Sequence, residues 1–388
     1  MIKLKNCMVK LYRKFYPYVI LASIIILSTI ILWLPFILKT DSWFGLKIKN
    51  PGFQNVYQNY DGPLYVIASK TLYDPLKLSP PEKGLIVSLP LTNEYFAAHL
   101  PLYPLVIKMF AQTFGFLKSM LIVNILFTIF LVWLLYLFLQ KLKIKNPLLL
   151  SVVFLFMPRF LVVRSVGAPE SLFIFLILAS IYFFEEKKYF IAGLFGGLSV
   201  ITKSPGIILF FTYLCVFIEQ YIKEKKFNIR WLYILLIPIF SLGLCYFYYL
   251  RYGDFFLYFK LGELVPLVFP FSVFNYQAKW VDTAWLNDIV FYYLIFGLTT
   301  IYLFRHKMRS LFYFSLLFFI SVLFLQHKDI ARHSLPLWPL SIIAFEKFFT
   351  TKSFLTVFFA IIIITGYFYG WNFISFNIMP IGDWTPFL

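Results

Sequence analysis

Charged residues are scarce in this sequence: they make up 13% of its 388 residues, while hydrophobic residues make up 61%. Soluble domains carry roughly 25% charged and roughly 45–50% apolar residues. The sequence also lacks any Asn-x-Ser/Thr acceptor for N-glycosylation. Its 3 cysteines, Cys7, Cys215 and Cys245, show no spacing typical of a disulfide framework or a metal site. These absences argue against an ordinary soluble domain and indicate that lipid surrounds much of the surface.

Acidic residues are also few, because 17 Asp and Glu stand against 35 Lys and Arg, which gives a formal net charge of +18. Nucleic acid could explain such a balance, but the basic residues are not gathered into one basic module. Many stand in short runs between apolar segments, as at residues 141–145 and 223–226. Cytoplasmic loops of membrane proteins carry this excess of Lys and Arg. We therefore expect membrane lipids as partners and no nucleic acid.

Apolar stretches follow one another along the whole chain, and a helix needs about 20 such residues to cross a bilayer. The first stretch is longer than the core of a signal peptide and lacks a small-residue cleavage site, so we expect an uncleaved span. Alternating spans with basic loops places the N-terminus in the cytoplasm and the C-terminus outside. The sequence thus predicts an all-α polytopic protein of the cell membrane, with a single transmembrane domain over residues 1–388.

The predicted transmembrane helices number about eleven. They cover residues 18–38, 119–140, 147–161, 171–184, 189–201, 206–221, 231–250, 285–304, 310–325, 335–349 and 354–369. Residues 41–118 are the longest piece between spans, and we predict them to be the first extracytoplasmic loop. A span at residues 99–114 would put the basic run 141–145 outside. We therefore predict an amphipathic helix at the membrane surface there, with Pro101 and Pro104 near its start.

Polar residues collect in four places, and at membrane depth such residues are costly and commonly functional. The predicted topology puts all four places at the outer membrane surface, which predicts that they form one site. The four places are residues 59–63, residues 94–104, the group Arg159, Arg164 and Glu170 together with Lys203, and residues 327–333.

The residue types in these places suit group transfer from a phosphate. A carboxylate can accept the proton of an attacking hydroxyl, and Asp61 is the candidate for this role. Gly62 lets the backbone bend there, and Pro63 suits the first turn of a following helix. Arginine and lysine can hold a phosphate leaving group, and a low dielectric near the bilayer strengthens such interactions.

These candidates also have ordinary structural explanations. An Asp-Gly-Pro sequence is most often a turn, Glu94 can cap a surface helix, and His99 can be a structural histidine. Arg164 and Glu170 can form a bridge between two spans. Lys203 can extend its amine toward lipid headgroups, and residues 327–333 can be a solvated loop.

Aromatic residues are abundant, and most are expected to face lipid or the membrane interfaces. Only a few tyrosines stand where the face of a sugar could stack. The candidate catalytic residues are therefore Asp61 and Glu94, and the candidate substrate-binding residues are Tyr60, His99, Tyr103, Arg164, Glu170, Lys203, Arg332 and His333.

Five short motifs follow one another over residues 60–336. They are Tyr60-Asp61-Gly62, then His99-Leu100-Pro101-Leu102-Tyr103-Pro104-Leu105, then Glu170-Ser171-Leu172-Phe173 after Pro158, then Thr202-Lys203-Ser204-Pro205-Gly206, and last Arg332-His333-Ser334-Leu335-Pro336. In this order they resemble the GT-C glycosyltransferases, and within them the mannosyltransferases related to the second mannosyltransferase of glycosylphosphatidylinositol synthesis. The chain departs from the family pattern at Tyr60, where Trp is usual, at Lys203, where Arg is usual, and at His333, which replaces Tyr.

The resemblance implies an inverting transfer of a sugar, often mannose, from a polyprenyl- or dolichyl-phosphate donor. The acceptor would be a hydroxyl of a glycan, a lipid or a protein on the extracytoplasmic side. By match, Asp61 would be the base, and Arg332 and Lys203 would contact the phosphate. Some members of the superfamily need a divalent metal, and this sequence has no His/carboxylate set that demands one.

Two other functions remain open from the sequence. A transporter or flippase of lipid-linked sugars would be polytopic too, but such proteins often contain inverted repeats, and none is visible here. A polymerase or ligase of surface polysaccharide shares the aromatic composition. Those proteins typically place their large outer loop late in the chain, whereas here it comes first.

Overall fold

A computed structural model describes residues 2–49, 51–59, 61–78, 92–261, 267–278, 281, 286–379, 381–382, 384 and 387. The described part of the chain is mostly helical, with 76% of its residues in helices, as the predicted all-α class requires. One large hydrophobic core runs through the bundle, from Leu21 in the first helix to Ile374 in the last. The bundle is therefore held together by apolar side chains along most of its length.

Among the described residues, six helices are long and apolar enough to cross a membrane, and each coincides with a predicted span. They are Phe15–Ile37, Phe116–Lys141, Ser204–Glu224, Ile229–Tyr252, Leu286–Arg305 and Lys352–Phe376. Three shorter apolar helices coincide with further predicted spans, namely Tyr189–Val200, Arg309–Leu323 and Leu335–Ala344. The multi-pass architecture follows from these helices, and the total of about eleven spans stays a prediction, as does the orientation of the termini.

Apart from the first helix, the other elements are short. The first helix as a whole is Ile2–Ile37, and the last one, here called the C-terminal helix, is Ile363–Phe376, which follows a π-helical turn at Phe358–Ile362. Two strands, Ser42–Trp43 and Leu46–Lys47, pair antiparallel. The remaining helices are Gln54–Tyr57, Gly62–Thr71, Pro75–Leu78, Asn93–Ala98, Leu102–Phe114, Pro147–Leu155, Pro158–Val163, Glu170–Glu185, Leu257–Lys260, Ser272–Phe274, Ile330–His333 and Glu346–Phe349.

The predicted span at residues 147–161 is not one continuous helix. It ends at Leu155, and a second helix begins at Pro158. Proline has no backbone N–H and disfavours a helical conformation at the residue before it. Met157 accordingly has φ −58° and ψ 123°, outside the helical region. The break turns the chain just before Arg159 and therefore aims that side chain.

The segment that follows the first helix is fastened to the C-terminal helix. The ring of Phe44, in the hairpin turn, stacks on Trp371 with 5.8 Å between centroids. The side-chain amide of Asn59 donates to the carbonyl of Ile374 at 3.2 Å. The N–H of Met379, just beyond the helix, donates to the carbonyl of Gln58 at 2.7 Å. The residues that precede Asp61 are thus positioned by the opposite end of the sequence.

Helix Tyr189–Val200 packs closely against helix Ile229–Tyr252 through a face of glycines. A Cβ atom at Gly193 would lie 2.3 Å from the carbonyl oxygen of Tyr233, and one at Gly197 would lie 2.6 Å from the ring of Phe240. Small residues at such an interface let two membrane helices approach closely. The approach at Gly193 involves a backbone atom, which cannot rotate away.

We expect Gly193→Ala to lower the free energy of unfolding by about 1–3 kcal/mol, because the added methyl group forces the two helices apart. Thermal unfolding in detergent measures this. The matched control is Gly243→Ala on the partner helix, where no described heavy atom lies within 4 Å of an added Cβ. That control should be neutral or slightly stabilising, and equal effects of the two variants would contradict the packing argument.

Candidate functional site

Glu170 is the centre of a buried group of charges. It is the first residue of helix Glu170–Glu185 and is 2% exposed. Its Oε1 accepts from Nζ of Lys203 at 2.8 Å and from Nε of Arg332 at 2.7 Å. A carboxylate at the N-terminus of a helix is also favoured by the helix dipole. The contacts join three segments of chain that the sequence separates widely.

Arg332 extends this group to Asp61. Nη1 of Arg332 lies 3.7 Å from Oδ2 of Asp61. The Asp61 side chain is 38% exposed, in contrast to that of Glu170. Asp61, Glu170, Lys203 and Arg332 are here called the Glu170 cluster. Asp61 is thus its accessible carboxylate, and Glu170 its enclosed one.

Gly62 explains how the segment of Asp61 reaches the cluster. Asp61 stands at the start of helix Gly62–Thr71, with Pro63 in the first turn, as the sequence suggested. A Cβ atom at Gly62 would lie 3.2 Å from the carbonyl oxygen of Gly167 and 3.1 Å from Sδ of Met120. The absence of a side chain therefore lets the turn approach the segment that leads into Glu170.

The two cations, Lys203 and Arg332, each lie in or at the start of a short helical turn. Lys203 is extended, with φ −150° and ψ 134°, at the start of a 3₁₀ turn, and Gly206 of that turn packs against Ser199. Arg332 lies in the short helix Ile330–His333, whose N-cap is Asp329. The N–H of Arg332 donates to Oδ1 of Asp329 at 3.1 Å. The side chains of Lys203 and Arg332 are 20% and 13% exposed, so both border the accessible side of the cluster.

The opposite charges in the cluster stabilise one another's ionised forms. Burial alone would raise the pKa of Glu170, but the charges of Arg332 and Lys203 and hydrogen bonds from both outweigh it and lower the pKa to about 2. Glu170 is therefore ionised at neutral pH and holds both cations in place. Burial lowers the pKa of His327 and that of His333, whose rings meet edge to face at 4.8 Å. These two imidazoles are accordingly neutral at pH 7.

The remaining candidates lie around the cluster or away from it. Tyr60 is outside the described residues. Glu94 is exposed on the 3₁₀ helix Asn93–Ala98. His99 is buried, and its ring lies 5.0 Å from that of Tyr65, in the helix that Asp61 begins. Tyr103 is buried too, and its hydroxyl donates to the carbonyl of Met120 at 3.0 Å.

Arg164 is placed elsewhere. Its guanidinium is buried and donates to the hydroxyls of Thr29 at 2.9 Å and Ser28 at 2.8 Å, both in the first helix. A third bond goes from Nε to the carbonyl of Leu155 at 3.3 Å. These contacts account for three of its donors inside the bundle, so Arg164 is left out of the proposed site. The alternative of a structural bridge between Arg164 and Glu170 does not hold, because Glu170 pairs with Lys203 and Arg332 instead.

Two residues that the sequence analysis left without a role adjoin the site. Arg159 forms an ion pair with Asp329, the residue that caps the helix of Arg332. Both residues belong to the four polar places found in the sequence, but no local pattern assigned them a role: one follows a proline, and the other stands three residues before Arg332. Among the described residues no three His, Cys, Asp or Glu side chains gather as a metal site, and metal dependence stays open.

We expect Glu170→Gln to lower the free energy of unfolding by about 3 kcal/mol, because it leaves two largely buried cations without their shared counter-charge. Thermal unfolding in detergent measures the loss. The matched control is Glu186→Gln, which removes a carboxylate paired with Lys141 at the protein surface. Surface pairs contribute little, so a loss in the control as large as that in Glu170→Gln would contradict the special role of burial.

The pH dependence of stability follows from the depressed pKa of Glu170, about 2 against an ordinary 4.5. A carboxyl whose pKa falls on folding stabilises the folded state above its unfolded pKa, and this stabilisation is lost as the pH falls toward the folded pKa. The difference in unfolding free energy between wild type and Glu170→Gln should therefore be constant above pH 4.5 and shrink as the pH falls toward 2. A difference that disappears near neutral pH would contradict this assignment.

Comparisons with known proteins concern the fold. No family model matches the chain, and no curated protein matches it. The chain is similar to ArnT from Cupriavidus metallidurans bound to undecaprenyl phosphate, with a TM-score of 0.54 and 10% identity, covering 93% of this chain and 76% of that one. It is also similar to the Archaeoglobus fulgidus oligosaccharyltransferase tethered with an acceptor peptide, with a TM-score of 0.50 and 14% identity, covering 96% of this chain and 57% of that one. These neighbours are GT-C proteins, so the chain has the GT-C-like fold that its motifs predicted.

Proposed function

We propose that this protein is a membrane glycosyltransferase that moves a hexose, with mannose as the first candidate, from a polyprenyl-phosphate donor to an acceptor hydroxyl. The observation that carries the proposal is the contact of Arg332 with both Asp61 and Glu170. It brings an accessible carboxylate into one cluster with two cations from distant parts of the chain. A GT-C-like fold, shared with a protein that binds undecaprenyl phosphate, supports the same choice of donor.

In the proposed reaction the acceptor oxygen attacks the anomeric carbon of the donor sugar. Asp61 accepts the proton of that hydroxyl as a new C–O bond forms. The bond between the anomeric carbon and the phosphate oxygen breaks, and polyprenyl phosphate leaves with the electron pair. A single displacement of this kind inverts the anomeric configuration.

Arg332 and Lys203 stabilise the leaving phosphate in this scheme. An arginine can bind a phosphate through two parallel N–H bonds, and a lysine contributes a compact charge. Glu170 is too enclosed to meet an acceptor, and it holds the two cations in fixed positions. Charges that are in place before the reaction stabilise a developing anion without reorganisation at the moment of reaction.

The membrane places further conditions on the proposal. We propose that the donor's lipid chain lies between spans and that the Glu170 cluster faces the extracytoplasmic side, with the segment at residues 41–118 as the first outer loop. Arg332 and Lys203 would then meet the phosphate at the bilayer surface. The acceptor would reach Asp61 from the aqueous side, consistent with its greater exposure.

We expect Asp61→Asn to reduce sugar transfer at least about 100-fold, because the amide cannot accept the proton of the acceptor hydroxyl. Binding of undecaprenyl phosphate should stay within about twofold of wild type, since both cations remain. Purified protein incubated with radiolabelled polyprenyl-phosphate hexoses measures transfer, and fluorescence quenching measures binding. Full activity of the variant would remove Asp61 from the mechanism.

The matched control is Asp74→Asn, which changes an aspartate of the same outer segment that pairs with Lys77 at 3.8 Å. Its transfer rate should equal that of wild type. Wild-type protein that transfers no hexose from any polyprenyl phosphate to water or to a lipid acceptor would overturn the proposed function. Movement of lipid-linked sugar across sealed vesicles without any glycosyl product would favour a transporter instead.

A further inference from the structure

Arg159 is a buried arginine with three kinds of partner. Its Nη2 forms an ion pair with Oδ2 of Asp329. Its Nη1 donates to the hydroxyl of Tyr369 at 2.9 Å, and its guanidinium carbon lies 4.2 Å from the centre of the Phe373 ring. Tyr369 and Phe373 stand one turn apart on the C-terminal helix. The orientation of Arg159 is therefore set by that helix.

Asp329 links Arg159 to the Glu170 cluster through a single side chain. One of its oxygens is held by Arg159, and the other accepts the backbone N–H of Arg332 at 3.1 Å. Its own N–H donates to Nδ1 of His327 at 3.0 Å. Asp329 therefore has its two oxygens and its amide engaged. A displacement of its carboxylate would move the first turn of the helix that carries Arg332.

The same end of the C-terminal helix also holds the segment of Asp61. Asn59 donates to the carbonyl of Ile374, the residue after Phe373. The helix thus supports the segment of Asp61 through Asn59, and it supports Arg332 through Arg159 and Asp329. Its position sets the separation of Asp61 and Arg332, which is 3.7 Å between Oδ2 and Nη1.

We propose that Arg159 is a positioning residue, which fixes Arg332 through Asp329 and thereby sets the affinity of the site for the phosphate of the donor. The inference rests on the proposed function for its choice of ligand. Arg159 itself is buried behind Asp329, and we assign it no contact with the substrate. In this it differs from Arg332 and Lys203, which border the accessible side.

A purely structural ion pair makes a different prediction. Removing one partner of a buried pair destabilises a protein wherever the pair is, so a loss of stability decides nothing. A positioning role requires that the surviving folded protein bind the phosphate more weakly. It also requires that Arg159 and Asp329 act as one unit, so that losing both costs no more than losing one.

The experiment compares Arg159→Gln, Asp329→Asn and the double variant, each as full-length protein in detergent. The probe is undecaprenyl phosphate for binding and a radiolabelled polyprenyl-phosphate hexose for transfer. We expect each single variant to raise the Kd of undecaprenyl phosphate and the KM of the donor about tenfold, because a small displacement of a binding group weakens a site strongly. The double variant should show about the same tenfold rise, and kcat should change less than KM.

Two further variants keep the test decisive if Arg159→Gln does not fold. Arg159→Lys retains the charge but loses the two-pronged contact, and Tyr369→Phe removes one hydrogen bond from Arg159 while keeping its packing. Each should raise the Kd by about two- to fivefold in a folded protein. The matched control is Arg309→Gln, since Arg309 also pairs with a carboxylate, Glu219, and lies over an aromatic ring. Its Kd should equal that of wild type.

Folded Arg159 variants with the Kd and KM of wild type would overturn the inference. So would a double variant whose Kd rises by the product of the two single effects, because Arg159 and Asp329 would then act independently. Wild-type protein that binds undecaprenyl phosphate but transfers no sugar would overturn the proposed function alone, and the series of Kd values would still decide the role of Arg159. Wild-type protein that does not bind it would overturn both.

Discussion

The bonds of Arg332 and Lys203 to the buried carboxylate of Glu170 are the interactions on which the arrangement of the site depends. An ionised carboxylate is costly to bury, and the cost is offset only if its partners are close and correctly aimed. Here Oε1 receives both cations at 2.7 and 2.8 Å. The two loops that carry them cannot move apart without exposing uncompensated charge in a largely apolar bundle. The fold and the charge pattern are therefore coupled at this point.

Two kinds of contact hold the rest of the site around that centre. Glycines allow close approach, and Gly62 brings the turn of Asp61 against the carbonyl of Gly167. Polar side chains then fasten loops to the C-terminal helix, through Asn59 on one side and Arg159 on the other. A rigid scaffold of this kind holds catalytic and binding groups in position before a ligand arrives. The chemistry we propose requires such a scaffold, because the base Asp61 and the cations that bind the phosphate must be held at a fixed separation.

Sequence reasoning succeeded where the cause was local or where order along the chain was enough. Apolar length predicted the six long and three shorter apolar helices found among the described residues, and the motif order predicted the GT-C-like fold. It also selected Asp61, Glu170, Lys203 and Arg332, which the structure brings together. It was wrong about the continuous helix at residues 147–161, and the Arg164–Glu170 bridge, one of the alternatives it left open, does not form. Six positions of separation do not tell which way a side chain points, and Arg164 turns toward hydroxyls of the first helix.

The sequence by itself determined that the protein is a helical membrane protein, because hydrophobic length and basic loops are properties of continuous segments of the chain. It also determined which residue types were available for chemistry. Only the tertiary structure decided which of them meet. The contact of Arg159 with Asp329, and through it with Arg332, joins residues 170 positions apart, and its partners Tyr369 and Phe373 belong to yet another segment. Such contacts depend on how the helices pack in three dimensions, and no local pattern along the chain records that packing.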